Sequence, residues 1–123
     1  MTIDYSKQKD KKIIVIEKSK TIQVDIVTIK YFECDGHLVF IYHTNGDQPY
    51  HYTDTIKKLE LDITDIGFLR ICSKRLVNMR FVEKIDLKKH EIQLNTGQCF
   101  TVSRRKWHKI KVFFRVQDTK MIP

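Results

Sequence analysis

Short apolar runs separated by polar turns dominate the first half of the chain. These runs are rich in Ile, Val, Phe and Tyr, and they occupy residues 13–16, 21–24, 26–32 and 38–42. Asp35-Gly36 lies between the last two runs, and Asn45-Gly46-Asp47 precedes a further run at 49–52. Both are turn sequences that favour β-hairpins, because they tolerate positive φ angles. The pattern predicts a β meander over this part of the chain.

The spacing of the apolar residues changes at positions 54–63, from every second residue to every third or fourth residue. The apolar positions are Ile56, Leu59 and Ile63. This spacing places them on one face of a short amphipathic helix, with lysines and an acidic residue on the other face. Asp54 is the predicted N-cap, and Gly67 lies beyond the expected C-terminal end. We expect this helix to cover the sheet.

Strand-like alternation returns from Phe68 onward and ends in a second helix. The strands are predicted from Phe68 and over residues 81–87, 91–94 and 98–102. Ser103 is then a suitable N-cap for a helix over 104–114. The apolar stripe of that helix is Trp107, Ile110 and either Phe113 or Phe114. The sequence therefore predicts a mainly β fold with two short helices.

Length and composition indicate one domain. A chain of 123 residues with 41% hydrophobic residues and two prolines can form a core but offers no linker between two halves. We expect a flexible N-terminal tail over 1–12, a domain over 13–116 and a C-terminal tail over 117–123. The N-terminus lacks a signal-peptide core, and no apolar run approaches the roughly 20 residues of a membrane span. These features predict a cytoplasmic protein.

The three cysteines give no metal or disulfide pattern. Cys34, Cys72 and Cys99 are odd in number, widely spaced and without C-x-x-C or matching histidine spacings. We expect buried or half-buried free thiols, and neither a metal nor a cofactor. No phosphate-binding loop, H-E-x-x-H or G-x-S-x-G motif is present, so we expect no catalysis and no small-molecule substrate.

The charge is distributed unevenly between the two halves of the chain. Residues 68–123 contain 14 Lys and Arg against 4 Asp and Glu, whereas residues 1–67 contain 9 against 11. A field of one sign on one part of a domain attracts a partner of the opposite charge. Two interpretations follow: a nucleic-acid-binding protein, or a protein–protein or signal-sensing module whose basic face meets an acidic partner.

The basic residues gather at two junctions between elements. One cluster comprises Arg70, Lys74, Arg75 and Arg80, and the other comprises Arg104, Arg105 and Lys106. Several phosphates can be neutralised by such clusters, and binding should then weaken steeply with salt. The second cluster falls at the first turn of a helix, where the dipole disfavours cations, which indicates a ligand. RNA binding is less favoured than DNA binding, because no strand carries the exposed aromatics of an RRM.

At these junctions the chain resembles the LytTR DNA-binding domain of bacterial response regulators. The resemblance is carried by Phe68-x-Arg70-Ile71, Leu76-Val77-Asn78, Leu94-Asn95-x-Gly97 and Val102-Ser103-Arg104-Arg105, and it extends over roughly 13–115. It implies a small elongated fold of antiparallel strands whose loops, rather than a recognition helix, enter the major grooves of double-stranded DNA. It also implies paired, direct-repeat sites, bound by a weak homodimer or by two monomers.

The resemblance implies contacts from three segments. His37 lies in the first, Ser73, Lys74 and Arg75 lie in the second, and Arg104 and Arg105 lie in the third. Arginine donates two hydrogen bonds to guanine, so Arg104 suits base recognition, whereas Ser73 and Lys74 suit phosphate. The stretch Cys72-Ser73-Lys74 departs from the triplet that is common in the family, so the target sequence is expected to differ. Asn78 is interpreted as a structural turn residue.

Overall fold

The computed structural model describes residues 5–52 and 54–118 and contains two antiparallel sheets and two α-helices. The ten strands are β1 (Lys12–Glu17), β2 (Lys20–Asp25), β3 (Ile29–Asp35), β4 (Leu38–His43), β5 (Tyr50–Tyr52), β6 (Phe68–Cys72), β7 (Arg75–Asn78), β8 (Val82–Asp86), β9 (Glu91–Leu94) and β10 (Cys99–Thr101). The helices are α1 (Ile56–Ile63) and α2 (Arg104–Asp118). The prediction of a mainly β fold with two helices is confirmed.

The larger sheet has seven strands in the order β2-β1-β5-β4-β3-β7-β6, and the smaller has the order β10-β9-β8. The predicted meander is confirmed only for β3, β4 and β5; β1 and β2 form a hairpin in which β1 pairs with β5, so β2 lies at the sheet edge and not beside β3. One predicted run also begins as a strand later than expected. The run 26–32 is not a single strand, because Ile26–Thr28 forms a 3-10 turn before β3 begins at Ile29. The turn buries Ile26 completely. The apolar character of residues 26–28 therefore reflects the burial of a turn rather than the pairing of a strand.

Strands β3 and β7 are buried on both faces. Phe32 and Leu76 point into one core, while their neighbours Tyr31 and Val77 point into a second core on the opposite face. Successive side chains of a strand face opposite sides of a sheet, so one strand can serve both cores. The first core is closed by α1, and the second by the small sheet and α2.

Helix α1 forms where the pattern predicts it, but its N-cap differs. Leu59 and Ile63 are almost completely buried, and Thr55 Oγ1 accepts a hydrogen bond from the Lys58 backbone N–H at 3.2 Å. Thr55 is therefore the N-cap, rather than Asp54. The Asp54 carboxylate instead accepts from the Thr55 N–H at 2.8 Å and pairs with Lys58 Nζ at 3.3 Å.

Helix α2 begins after Ser103, as predicted. The Ser103 carbonyl accepts the first helical hydrogen bond from the Trp107 N–H at 3.0 Å. Trp107, Ile110 and Phe113 are buried, so the stripe runs through Phe113, with Phe114 only half-buried. The helix reaches Asp118, beyond the predicted end at 114. The rest of the expected C-terminal tail lies outside the described residues.

The N-terminal segment requires a correction where it is described. Tyr5–Gln8 forms a 3-10 turn, and Gln8 is completely buried, with a side-chain hydrogen bond of 2.7 Å to the Ile66 carbonyl. Gln8 is thus packed into the domain within the segment that was expected to be a free tail. The sequence did not predict the burial of Gln8, because one buried amide does not change the polar composition of the segment.

The remaining expectations concern thiols, metals and membranes. Cys34 and Cys72 are half-buried free thiols, whereas Cys99 is exposed, contrary to expectation. Among the described residues, no group of three or more His, Cys, Asp or Glu side chains is arranged to hold a metal ion. Neither helix of the described chain has the length and apolar character needed to cross a membrane.

Candidate nucleic-acid interface

The first predicted segment is the tight turn between β3 and β4. Asp35 pairs with Leu38 across the ladder, so Gly36 and His37 form a two-residue loop. Gly36 adopts φ of +63°, a left-handed conformation that glycine accepts at little cost. This geometry leaves the His37 side chain exposed at the tip of the hairpin.

The second predicted segment is the neighbouring hairpin between β6 and β7. Strand β7 pairs with β3 in the register Glu33 to Arg75, and the Cys34 N–H donates to the Lys74 carbonyl at 2.8 Å. The loop of Ser73 and Lys74 therefore lies at the same end of the sheet as His37. Both loop side chains are exposed.

The third segment is the start of α2. The Ser103 N–H donates to the Ile71 carbonyl at 2.8 Å. This bond joins the residue before the helix to the C-terminal end of strand β6. Arg104 and Arg105 follow directly and are exposed. Two backbone hydrogen bonds thus connect all three segments along one edge of the molecule.

We call this edge the basic end. It is defined by residues 36–37, 73–74 and 103–105, and its exposed side chains are His37, Ser73, Lys74, Arg104 and Arg105. Within the described part of the chain, none of its cations is paired with a carboxylate. Arg104 and Arg105 also occupy the first turn of a helix, where the dipole is positive. The cluster therefore presents an uncompensated positive potential to an anionic partner.

Residues 19–115 match the family model described as the LytTr DNA-binding domain. The chain belongs to the LytTR DNA-binding domain family. The matched segment contains all three segments of the basic end, as well as both helices except the last turn of α2. The matched segment is therefore a DNA-binding domain.

The fold agrees with a solved structure, the LytTr DNA-binding domain of a putative methyl-accepting/DNA response regulator from Bacillus cereus. The TM-score is 0.74, and the match covers 84% of this chain and 95% of that chain at 13% identity. At this identity the match establishes the fold. No curated protein matches the chain at a significant level.

Arg75 is the remaining predicted DNA contact of this LytTR domain. Unlike the side chains of the basic end, its side chain contacts other residues of the protein. Its Nε lies 2.6 Å from Glu33 Oε1, and its guanidinium carbon lies 4.5 Å from the centre of the Phe100 ring. The side chain is 30% exposed. Arg75 is thus near the basic end in the chain but turned toward the protein.

Arg70 also faces the protein. Its Nη1 donates to the Ser73 carbonyl at 3.2 Å, and its Nε lies 3.8 Å from Glu60 Oε1 on α1. Arg70 therefore holds the loop of Ser73 and Lys74 through the Ser73 carbonyl, whereas Arg75, which follows the loop, contacts Glu33 and Phe100. Three of the four arginines and lysines in the first predicted cluster thus contact the protein, because Arg80 Nη2 also donates to the Val27 carbonyl at 2.7 Å.

Two tyrosines pack beside the Glu33–Arg75 pair. Tyr31 stacks on Tyr42 at 4.6 Å between ring centres and meets Phe100 edge-on at 4.8 Å. Burial raises the pKa of the Tyr31 hydroxyl above 10.0, with a smaller opposing effect from the hydrogen bond of Gln98. Burial likewise raises the pKa of the Tyr42 hydroxyl, and the two stacked rings form a wall beside the ion pair.

Sequence reasoning did not identify Glu33 as part of this arrangement. A signal was present, because the Glu33 carboxylate lies between the apolar residues Phe32 and Cys34 of strand β3. A charged residue inside such a strand needs a partner in the fold. The partner could not be named without the register of β3 and β7.

Proposed function

We propose that this LytTR domain binds double-stranded DNA sequence-specifically through the basic end and thereby regulates transcription. The observation that carries the proposal is the continuity of the three exposed segments through the 2.8 Å bonds Cys34 N–H to Lys74 and Ser103 N–H to Ile71. Three short loops on a rigid sheet edge can reach into grooves that a flat face could not enter. The function proposed is binding, without catalysis, and DNA as partner implies the cytoplasm.

We assign the contacts by the chemistry of each side chain. Arg104 suits a bidentate hydrogen bond to guanine O6 and N7 in the major groove, a contact worth about 1–3 kcal/mol of discrimination. Arg105 and Lys74 suit phosphates, and the Ser73 hydroxyl can donate to a phosphate oxygen. His37, at the tip of a two-residue turn, suits a base edge or a phosphate.

We further propose that two copies bind adjacent direct repeats. One basic end offers few side chains for phosphate, and a second copy on the same duplex adds affinity without new types of contact. The copies need only a weak contact with each other, because the DNA holds both. Sedimentation of the protein with a selected duplex should give two chains per duplex, and loss of one repeat should reduce this to one.

A salt titration of duplex binding tests the main proposal. The full chain is titrated into a fluorescently labelled random-sequence duplex, and anisotropy gives the affinity between about 50 and 200 mM salt. We expect a log–log slope of several units, because each neutralised phosphate contributes about −0.9. A flat response, or no binding at the lowest salt, would contradict DNA binding through a basic surface.

Sequence specificity is measured separately. Selection of duplexes from a random library should enrich a defined sequence, and the selected duplex should bind more tightly than a random one at equal salt. Specific complexes are typically about 10³ times or more tighter than non-specific ones. Failure to enrich any sequence would leave DNA binding in place and remove the proposed readout by Arg104 and His37.

A further inference from the structure

Glu33 and Arg75 form the closest ion pair among the described residues. The pair joins two neighbouring strands at their paired register positions, with Nε 2.6 Å from Oε1. The exposed fractions of the two side chains are 30% for Arg75 and 26% for Glu33. A hydrogen bond between two ionised groups is roughly twice as strong as a neutral one.

Phe100 adds a third component from the other sheet. The guanidinium carbon of Arg75 lies 4.5 Å from the ring centre, a distance typical of a cation–π contact. Phe100 belongs to β10 and precedes Arg104 by four positions. Arg75 therefore contacts the strand that leads into the third segment of the basic end.

The same guanidinium is thus tied to all three DNA-facing segments. Lys74 precedes Arg75 directly, Glu33 lies four positions before His37 on β3, and Phe100 lies on the strand that delivers Arg104. Tyr31, which stacks on Tyr42 and meets Phe100 edge-on, connects the same two sheets beside this guanidinium. A small movement of Arg75 would change the spacing between the loops.

We propose that Glu33 and Arg75 are positioning residues for sequence recognition: their ion pair, packed on Phe100, sets the relative placement of the loops that hold His37, Lys74 and Arg104. This proposal rests on the proposed function and deepens it. It assigns Arg75 a role other than direct DNA contact. Specific readout needs donors held close to their productive geometry, whereas non-specific phosphate attraction tolerates displacement.

The direction in which Glu33→Gln changes the affinity for DNA distinguishes a positioning role of Arg75 from a phosphate contact. If Arg75 contacted phosphate, Glu33→Gln would remove a competing carboxylate and tighten binding to every duplex. If the pair positions the loops, Glu33→Gln should weaken binding to the selected duplex and leave the random duplex unchanged or slightly tighter. We expect the ratio of selected to random affinity to fall at least about fivefold, the size of one lost base-pair readout.

Three single variants, and the double variant that combines Glu33→Gln with Arg75→Gln, make the test in the full chain. Glu33→Gln and Arg75→Gln are compared with Glu83→Gln, a control that removes an exposed carboxylate from β8 near the other end of β7. Affinities for a selected and a random-sequence duplex are measured by anisotropy over a range of salt. We expect both pair variants to reduce the affinity ratio equally, the double variant to be no worse than either, and the salt slope on the random duplex to stay constant.

Each outcome bears on one of the two proposals. An Arg75→Gln slope that is smaller by about 0.9, or a Glu33→Gln protein that binds both duplexes more tightly, would show a phosphate contact and overturn the positioning role. An unchanged ratio in both variants would overturn it as well, while DNA binding stands. A wild-type protein without salt-dependent duplex binding would overturn the proposed function itself and the positioning role with it.

Discussion

Gln8 and Asn78 exchange two hydrogen bonds through their side-chain amides. Gln8 Nε2 donates to Asn78 Oδ1 at 3.0 Å, and Asn78 Nδ2 donates to Gln8 Oε1 at 3.1 Å. Both side chains are completely buried. The remaining donors reach the carbonyls of Ile66 and Ile29 at 2.7 and 3.0 Å. Gln8 precedes the segment that matches the family model, so this pair connects an additional segment to the shared core.

Replacing Gln8 by alanine should destabilise the domain by about 1–3 kcal/mol, because it leaves buried polar groups of Asn78 and Ile66 without a partner. Asn78→Ala should cost more, since Asn78 Oδ1 also accepts from the Arg80 N–H at 3.1 Å. Urea denaturation of each variant measures the free energy of unfolding. Gln23→Ala, on the exposed side of β2, is the matched control and should change it by less than about 0.5 kcal/mol.

Much of the fold follows from the sequence because strands and turns leave a periodic pattern. The turn at Asp35-Gly36 and the buried positions of α1 are local features, and the structure contains both. Gln8 and the 3-10 turn Ile26–Thr28 are different. Their conformations are fixed by residues far away in the chain, Asn78 for Gln8 and the first core for Ile26. A polar tail and an apolar run carry no information about such partners.

Leu59 and Leu61 lie two positions apart on α1 and should respond oppositely to truncation. Leu59 is 1% exposed and Leu61 is 80% exposed. Leu59→Ala removes packed methyl groups from the first core and should cost about 2–5 kcal/mol of unfolding free energy. Leu61→Ala should be within about 0.5 kcal/mol of the wild type, which controls for helix propensity. Equal effects in urea denaturation would contradict the placement of α1 on the core.

The candidate site was less accessible from sequence than the fold. Five exposed residues of the basic end were identified by charge and by the family resemblance. The direction of Arg70 and Arg75 was not predictable, because an arginine on a strand can face solvent or a carboxylate on a neighbouring element. Only the β3–β7 register and the position of α1 bring Glu33 and Glu60 to these arginines. Charge clusters in a sequence therefore overstate the number of free cations on a surface.

Asp86 predicts an acid dependence of stability. Its Oδ1 accepts from the backbone N–H groups of Lys89 and Lys88, each at 2.9 Å. The Lys89 hydrogen bond is the largest influence lowering the pKa of this carboxyl below 3.8, and that of Lys88 acts in the same direction. Because the folded state favours the ionised form, the contribution to stability is present above the unfolded pKa and is lost as pH falls through the folded value.

The destabilisation caused by Asp86→Ala should therefore be larger at neutral pH than at a pH below the lowered folded pKa, where the wild-type carboxyl is protonated as well. Urea denaturation of both proteins across this range gives the difference in unfolding free energy. Asp86→Asn keeps an acceptor oxygen but cannot ionise, so its stability relative to the alanine variant should not vary with pH. A constant wild-type-to-alanine difference would show that the charge of Asp86 does not contribute.

Arg104 and Arg115 provide a matched pair on one helix for testing the DNA contact. Both are exposed, and they lie at opposite ends of α2, separated by about 16 Å along the helix axis. If Arg104 reads a guanine, Arg104→Ala should weaken binding to the selected duplex by about 1–3 kcal/mol and relax selection at one base pair. Arg115→Ala removes the same charge far from the basic end and should leave that selection unchanged. A loss of equal size on selected and random duplexes would instead assign Arg104 to phosphate.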